Sequence, residues 1–370
     1  MSRPDAIVVG AGVVGAAVAY WLTLDGLRVD VIDAAFPGAG ATSAGMGHVV
    51  VMDDSPAQLA LTAYSRTLLD GLGALPASCE VDPCGTLWLA ADDDEYLALR
   101  DKQAVHARAG VATELLDAAA LREAEPELRR DVRGALRVKD DVVLYPPAFA
   151  RWLLAEAGSR GARVVHAHVD RIVDEGVAYD GVVHNADVVV NAAGARAPLL
   201  TPALPIVPRR GHLVITDRYP GFCRHQLVEL GYLKSAHTLD GASVAFNVQP
   251  RTTGQLLVGS SREMVGWDAR IDHAVVRAML ARARAWLPRI GELRAIRTWT
   301  GFRPATPDKL PYIGAWPGTT GQWVAAGHEG LGITTALATG RILADLVAGR
   351  APAIDAQPFA LERLHEDVPA

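Results

Sequence analysis

Residues 7–33 constrain this chain more than any other stretch. Ile7-Val8-Val9 is a short β-branched run, and Gly10-Ala11-Gly12-Val13-Val14-Gly15 follows it as G-x-G-x-x-G. A helix is expected from Ala16 to Leu24, ended by Gly26, and then a second strand, Arg28-Val29-Asp30-Val31-Ile32, with Asp33 at its carboxyl end. Gly10 permits the tight turn, Gly12 lets a pyrophosphate approach the backbone, and Gly15 lets helix and strand pack closely. Val13 and Val14 lie in the loop before the helix, whose unpaired N–H groups face the phosphates. Asp33 is placed to accept from a ribose 2′-hydroxyl, and Ala34 follows it along the ribose. The pattern predicts dinucleotide binding rather than an ordinary glycine-rich crossover, without separating FAD from NAD.

Ala6 to Leu24 carries no charge over nineteen residues, enough to cross a bilayer by length alone. The glycines inside it, and the single Arg3 before Asp5, argue against a span or a signal peptide. The chain therefore reads as soluble and cytoplasmic, with peripheral docking at the inner membrane surface left open. Its 370 residues suggest about two domains. A net charge of −6, from 36 basic and 42 acidic residues with no basic stripe, argues against nucleic acid as a partner. Cys79, Cys84 and Cys223 form neither a disulfide framework nor a metal-ligand pattern, so no metal is expected.

Further along, Phe36 to Gly47 reads as a small-residue loop. Helices are expected near Pro56–Leu72, Asp92–Ala109, Leu116–Leu128, Pro147–Gly158, Asp272–Trp286 and Thr334–Ala348, and strands at Arg163–Val165 and Val188–Val190. Alternating strands fill Gly211 to Ser260, Thr298–Phe302 is strand-like, and Trp323–Ala326 runs into a glycine loop. The expected architecture is α/β: a discontinuous, doubly wound, Rossmann-like dinucleotide-binding domain and a second layer, which the resemblance given below implies to be, respectively, an FAD-binding domain and a mixed-sheet α+β substrate domain. The first would comprise 1–75, 145–205 and 300–370, the second 76–144 and 206–299.

Gly327-His328-Glu329-Gly330-Leu331-Gly332 repeats the strand–loop–helix logic near the other end of the chain. With the pyrophosphate held by the first loop, this helix start suits the negative charge that a reduced flavin gathers at its N1–C2 carbonyl edge. A close-packed turn is the alternative. Together with Gly10–Gly15 and Asp33, the segments Thr42-Ser43-Ala44-Gly45-Met46-Gly47, Asn191-Ala192-Ala193-Gly194, Arg303-Pro304-Ala305-Thr306-Pro307-Asp308, Pro311-Tyr312-Ile313-Gly314 and Gly327 to Thr334 resemble, in order, the D-amino-acid oxidase superfamily of FAD enzymes. The resemblance implies FAD, oxidation of a carbon–nitrogen bond next to a carboxylate, and cofactor contacts from these loops: Thr42, Ser43, Ala44, Met46, Gly47, His48, Ala192, Ala193, Gly194, Arg303, Gly327, Gly330, Leu331, Gly332, Ile333 and Thr334. Val169 matches the adenine-side valine. No cysteine lies near the matched loops, which favours non-covalent FAD.

Arg303, in apolar company after a strand, suits a substrate carboxylate and matches the family's carboxylate-binding arginine; a structural ion pair is the bland alternative. Tyr232 would add a hydroxyl above the flavin, or be a core tyrosine. His48 would tune the flavin or touch substrate, and His328 would organise the backbone. No general base stands out, and none is needed when a neutral amine loses hydride directly to flavin. Gly211–Asp217, Arg224–Tyr232 and Ala44–His48 are similar to bacterial D-hydroxyproline dehydrogenases, which implies a small imino acid substrate and an acceptor other than oxygen: further redox subunits in a hetero-oligomer, or a membrane electron acceptor. Glycine, sarcosine and D-amino-acid oxidases and opine dehydrogenases remain alternatives, as does a non-catalytic FAD subunit that relays electrons.

Overall fold

The computed structural model describes residues 3–231 and 243–365. Two large sheets organise them. The first has six strands in the order Tyr312–Ala315, Gln322–Ala326, Val188–Asn191, Ala6–Val9, Val29–Asp33, Arg163–His166. Five run parallel and the Tyr312–Ala315 edge is antiparallel. Ala6–Val9 is buried along its whole length, as an apolar run in the centre of a parallel sheet must be. Helices Val13–Leu24, Pro146–Gly158 and Gly332–Val347 cover one face, packing around Ala6, Val8 and Val190. A three-stranded antiparallel sheet, Arg171–Val173, Gly176–Tyr179 and Val182–Asn185, covers the other, where Val177 meets Ile7, Ile32 and Val189. The uncharged stretch Ala6–Leu24 is thus a strand and a helix joined by glycines, and no helix among the described residues is long and apolar enough to cross a membrane.

The second sheet has eight strands: Ala295–Ala305, Val207–Thr216, Leu256–Arg262, Ser243–Pro250, Gln226–Glu229, Thr86–Ala90, Gly134–Val138 and Thr113–Asp117, in spatial order. Alternation gives it two different faces. Leu87, Leu227, Phe246, Val248 and Val258 pack under helix His273–Trp286, against Met279 and Trp286. Thr86, Trp88, Gln226, Val228, Asn247 and Leu213 point the other way, into a large cavity shared with the first sheet.

Several expected boundaries shift for local reasons. Leu116 belongs to strand Thr113–Asp117, not to a helix, because it pairs with Ala135 across the sheet. The helix begins only at Ala118, where the Asp117 carboxylate accepts from the Ala119 and Ala120 N–H groups at 2.9 Å each. It ends at Ala124, just before Glu125-Pro126. The Phe36–Gly47 loop contains one helical turn, Ala41–Ala44. The strand expected to stop at Phe302 continues to Ala305, so Arg303 lies within the sheet; the same strand crosses the 299/300 division. Gly332 to Val347 forms the last helix, starting two residues before Thr334.

Backbones meet without side chains between them at several glycines, and two of these contacts set how the first helix packs. A Cβ on Gly15 would lie 1.9 Å from the Gly10 carbonyl oxygen, and one on Gly340 would lie 2.6 Å from the Ala17 carbonyl oxygen. The second contact seats the last helix directly on the first. Gly15→Ala is expected to lower stability by roughly 1–3 kcal/mol through forced displacement of the loop. Thermal unfolding of the variant beside the native protein measures it, and an unchanged Tm would refute the close-contact account.

Candidate functional site

Strands Ala6–Val9 and Val188–Asn191 lie side by side where the strand order reverses, so their carboxyl ends open a crevice. Gly10, at φ +114°, starts the turn, and its missing Cβ leaves room for the Ala192 carbonyl oxygen, which a side chain would approach to 2.5 Å. No side chain of Gly12 caps the helix that follows; instead the Thr42 hydroxyl accepts from the Val13 N–H at 3.0 Å. The Asp33 carboxylate accepts from Ala11 N–H at 2.6 Å and Ala35 N–H at 2.8 Å, tying the glycine loop to the end of the second strand. Each of its oxygens keeps a further lone pair for a hydroxyl.

From this crevice a cavity of about 1600 Å³ runs between the two sheets. Gly10, Gly12, Val13, Val14, Asp33 and Ala34 line one end with Val169, Ala192, Ala193 and Gly194. Thr42, Ser43, Ala44, Met46, Gly47 and His48 line its middle, and Arg303, Gly330, Leu331, Gly332 and Ile333 the far end. Residues 330, 332 and 10, far apart in the chain, thus line one cavity. Three expected cofactor residues do not reach it. Gly15 is spent on helix–strand packing. Gly327, at φ +85°, makes a turn in which a Cβ would lie 2.5 Å from Thr306 Cγ2. Thr334 is buried and donates its hydroxyl to the His48 carbonyl at 3.0 Å, so it positions the middle of the cavity from behind. Tyr232 lies outside the described residues.

Arg303 extends across the neighbouring strand. Its Nη1 donates to the Ser261 carbonyl at 2.9 Å, and a Cβ on Gly211 would lie 2.1 Å from that nitrogen. Glycine at 211 is therefore what lets the guanidinium lie flat against the sheet at the cavity wall. His48 sits nearby on strand His48–Val49, paired with Val142–Val143. Burial pushes its pKa down to about 4, the Arg303 charge adds to that, and the Gln249 amide opposes it only in part. The ring is neutral at pH 7, and its buried Nδ1 has no hydrogen-bond partner among the described residues. His328 is also buried and neutral, pushed down to about 3 by burial alone, with Nε2 3.0 Å from the Thr339 hydroxyl. It ties the second glycine loop to its own helix. Neither helix Gly332–Val347 nor Val13–Leu24 is capped by its own N-cap residue or carries an acid in its first turn, Thr42 taking one N–H of the second. The cavity therefore meets two helix amino termini, each carrying about half a positive charge.

The motifs did not point to Trp88, Asn247 and Ser260, and Gln226 and Val228 stood only within the 224–232 resemblance with no role of their own; all five line the far end with Val50 and Met52. Period-two alternation places them on one face of their strands, but only the tertiary fold says that this face is the hollow one. None of Cys79, Cys84 and Cys223 lines the cavity.

A long cavity with a glycine cradle, two helix starts free of acids and a carboxylate at the crevice suits a dinucleotide stretched between them. The comparisons agree. The family model described as FAD dependent oxidoreductase matches residues 5–346, and the chain belongs to this family. It is 32% identical to glycine oxidase of Pseudomonas aeruginosa, over 96% of this chain and 97% of the relative. It is 29% identical to D-amino acid dehydrogenase of Cereibacter sphaeroides, over 96% and 94%. The crystal structure of glycine oxidase from Geobacillus kaustophilus superposes with a TM-score of 0.86 at 27% identity, covering 98% of this chain and 99% of that one. The protein is a FAD-dependent oxidoreductase of the amino acid oxidase and dehydrogenase class, acting on a CH–NH bond.

An unfolded histidine titrates near 6.5, so protonating the unfolded chain below that pH draws the equilibrium away from a fold that keeps His328 neutral. Stability should fall as pH drops from about 6.5 toward 3. His328→Gln is expected to flatten that acid limb, whatever it costs at pH 7. Denaturant titrations at pH 7 and 4.5 read the difference, and an equal acid slope in both proteins would contradict the buried neutral state.

Proposed function

We propose that this protein oxidises the α C–N bond of a small imino acid, D-hydroxyproline or D-proline, and passes the electrons to an acceptor other than oxygen. The observation that carries the reading is the Arg303 guanidinium, laid over Gly211 at the wall of a cavity with a dinucleotide cradle at its other end. A guanidinium there binds a substrate carboxylate through paired N–H donors. An electron-relay subunit has no use for such a clamp. The similarity to bacterial D-hydroxyproline dehydrogenases in 211–217, 224–232 and 44–48 supports the dehydrogenase reading; the identities of 29% to a D-amino acid dehydrogenase and 32% to a glycine oxidase support the amino acid oxidising class that both readings share.

FAD would be held by the Gly10–Val14 loop at its pyrophosphate, by Asp33 at a ribose, by Val169 beside the adenine, and by Thr42–His48 and Gly330–Ile333 around the flavin. Bound there, it supplies the two-electron acceptor, and the start of helix Gly332–Val347 favours negative charge at that end. The chain's own part is orientation. Arg303 fixes the carboxylate, and the apolar surfaces of Val50, Met52, Trp88, Val228 and Leu331 exclude water around the ring. His48, uncharged at neutral pH, adds no cation beside the substrate nitrogen and leaves Nδ1 as a polar contact for cofactor or substrate. We take the cofactor to be non-covalent, since no cysteine reaches the cavity. We also read 1–75, 145–205 and 300–370 as the FAD domain and 76–144 with 206–299 as the substrate domain. That division is supported by the separate strand membership of the two sheets, Ala295–Ala305 alone crossing it.

Arg303→Ala is expected to raise KM by about a hundredfold, the worth of a charged hydrogen-bonded contact, while FAD stays bound. Gly211→Ala should raise KM in the same direction by displacing the guanidinium. Steady-state kinetics with a dye acceptor check both, and native KM in Arg303→Ala would remove the carboxylate assignment. Anaerobic mixing with D-hydroxyproline, D-proline, glycine and sarcosine should bleach the flavin band with the two ring compounds first, and acid precipitation should release the FAD. Bleaching by glycine or sarcosine alone would replace the imino acid reading, and no bleaching by any amine would favour the relay.

A further inference from the structure

The cavity-facing side of the eight-stranded sheet carries a file of polar side chains that the chemistry above does not use. Asp141 lies beneath it, 1% exposed, its Oδ1 accepting from the Val51 N–H at 3.1 Å and its Oδ2 without a well-formed hydrogen bond among the described residues. The Thr86 hydroxyl lies against this carboxyl. Thr86 stands directly across from Gln226 in the parallel strand pair, and the Gln226 Nε2 amide donates to Asn247 Oδ1. Thr86 Oγ1 and Gln226 Oε1 are both buried without an accepted or donated bond of good geometry. Among the described residues Asn247 Nδ2 donates to no protein group, and Asn247 lines the cavity.

These donors and acceptors line up in one sense when Asp141 is protonated; an ionised Asp141 would instead accept from the Thr86 hydroxyl. With Gln226 Nε2 committed to Asn247 Oδ1, the Gln226 Oε1 end faces the Thr86 strand and needs a donor. The Thr86 hydroxyl fills that need when it in turn accepts from a protonated Asp141. Burial pushes the Asp141 pKa up to about 7, which keeps a proton available there. A file satisfied in this order leaves Asn247 with its N–H bonds aimed outward and its oxygen spent, so it can only donate to a ligand.

We propose that Asn247 is a binding residue for a hydroxyl on the substrate ring, and that Gln226, Thr86 and Asp141 are positioning residues that fix its amide as a donor. The Arg303 guanidinium already reaches the strand Leu256–Arg262 at Ser261, and Asn247 pairs with Gly259 on the next strand over. One strand spacing and two residues of rise put the two groups on the order of 8 Å apart. A five-membered ring with a carboxylate on one side and a hydroxyl on the other spans such a gap through two hydrogen bonds. Around Asn247 the wall is apolar, with Trp88, Val228 and Met52, so a ring carbon fits where one polar substituent is recognised. The preferred substrate class is accordingly a hydroxylated cyclic imino acid over its unsubstituted form. This deepens the function proposed above and rests on it.

The test compares kcat/KM for 4-hydroxy-D-proline and D-proline, with the holoenzyme and a dye acceptor. The native ratio should favour the hydroxylated ring by about tenfold or more, because a site built to bond a hydroxyl leaves polar groups unpaired when it is absent. Asn247→Leu should bring the ratio close to one. Thr86→Val should lower it severalfold through KM, Thr86→Ser should restore it, and Asp141→Asn should keep it, since an amide donates to Thr86 as the protonated carboxyl does. A merely structural Thr86 would affect both substrates alike and leave the ratio unmoved, which overturns the inference. If Asn247→Leu fails to hold FAD, the Thr86→Val and Thr86→Ser pair decides. D-proline oxidised with no native preference for the hydroxylated ring sinks this inference and spares the proposed function; flavin that neither compound reduces sinks both.

Discussion

The structure depends on backbone meeting backbone at the crevice between strands Ala6–Val9 and Val188–Asn191. Gly10 turns under the Ala192 carbonyl, Gly15 lies on Gly10, and Gly340 seats the last helix on Ala17. These contacts bring both helix amino termini to one cavity, although the loops that precede them lie at opposite ends of the chain. Every other feature of the site is arranged around them. Thr42 caps the first helix from the middle of the cavity, and Thr334 holds the His48 carbonyl from the last helix, so the Thr42–His48 segment is fastened at both sides.

Electrostatics divide the cavity by function. The cofactor end is built from partial charges, backbone N–H groups and two helix starts, with Asp33 the acid tied into the glycine loop. The far end carries a full positive charge on Arg303, and His48 beside it is kept neutral by burial and by that same guanidinium. A second cation there would compete with Arg303 for the substrate carboxylate. The missing side chain at Gly211 is as much a part of this arrangement as the arginine, because it sets how close the guanidinium lies to the sheet.

Much of this was legible in the residues. The strand–glycine–helix–strand opening, the second loop before the last helix, and Arg303 all stand in the sequence as local patterns, and the structure brings most of the named positions to one cavity. Local patterns also misled where long-range pairing intervened. Leu116 carries helical periodicity, yet its cross-strand partner Ala135 and the Asp117 cap make it strand. Gly327 and Thr334 stand beside cavity residues in sequence but are turned into packing. Asn247 and Trp88 had no motif to mark them, since each is one residue in an ordinary alternating strand, and Gln226 had no role assigned within the 224–232 resemblance.

By itself the sequence determined the dinucleotide cradle, because turn, close approach and helix start are set by neighbouring residues and by the absence of side chains at chosen glycines. It also determined that two faces of each amphipathic strand would differ. The tertiary structure decided which face lines the cavity, which cation lies at its wall, and which buried polar groups share a file. Those choices depend on strand order and register between segments more than a hundred residues apart, such as Thr86 beside Gln226, and register is a property of the assembled sheet rather than of any one strand.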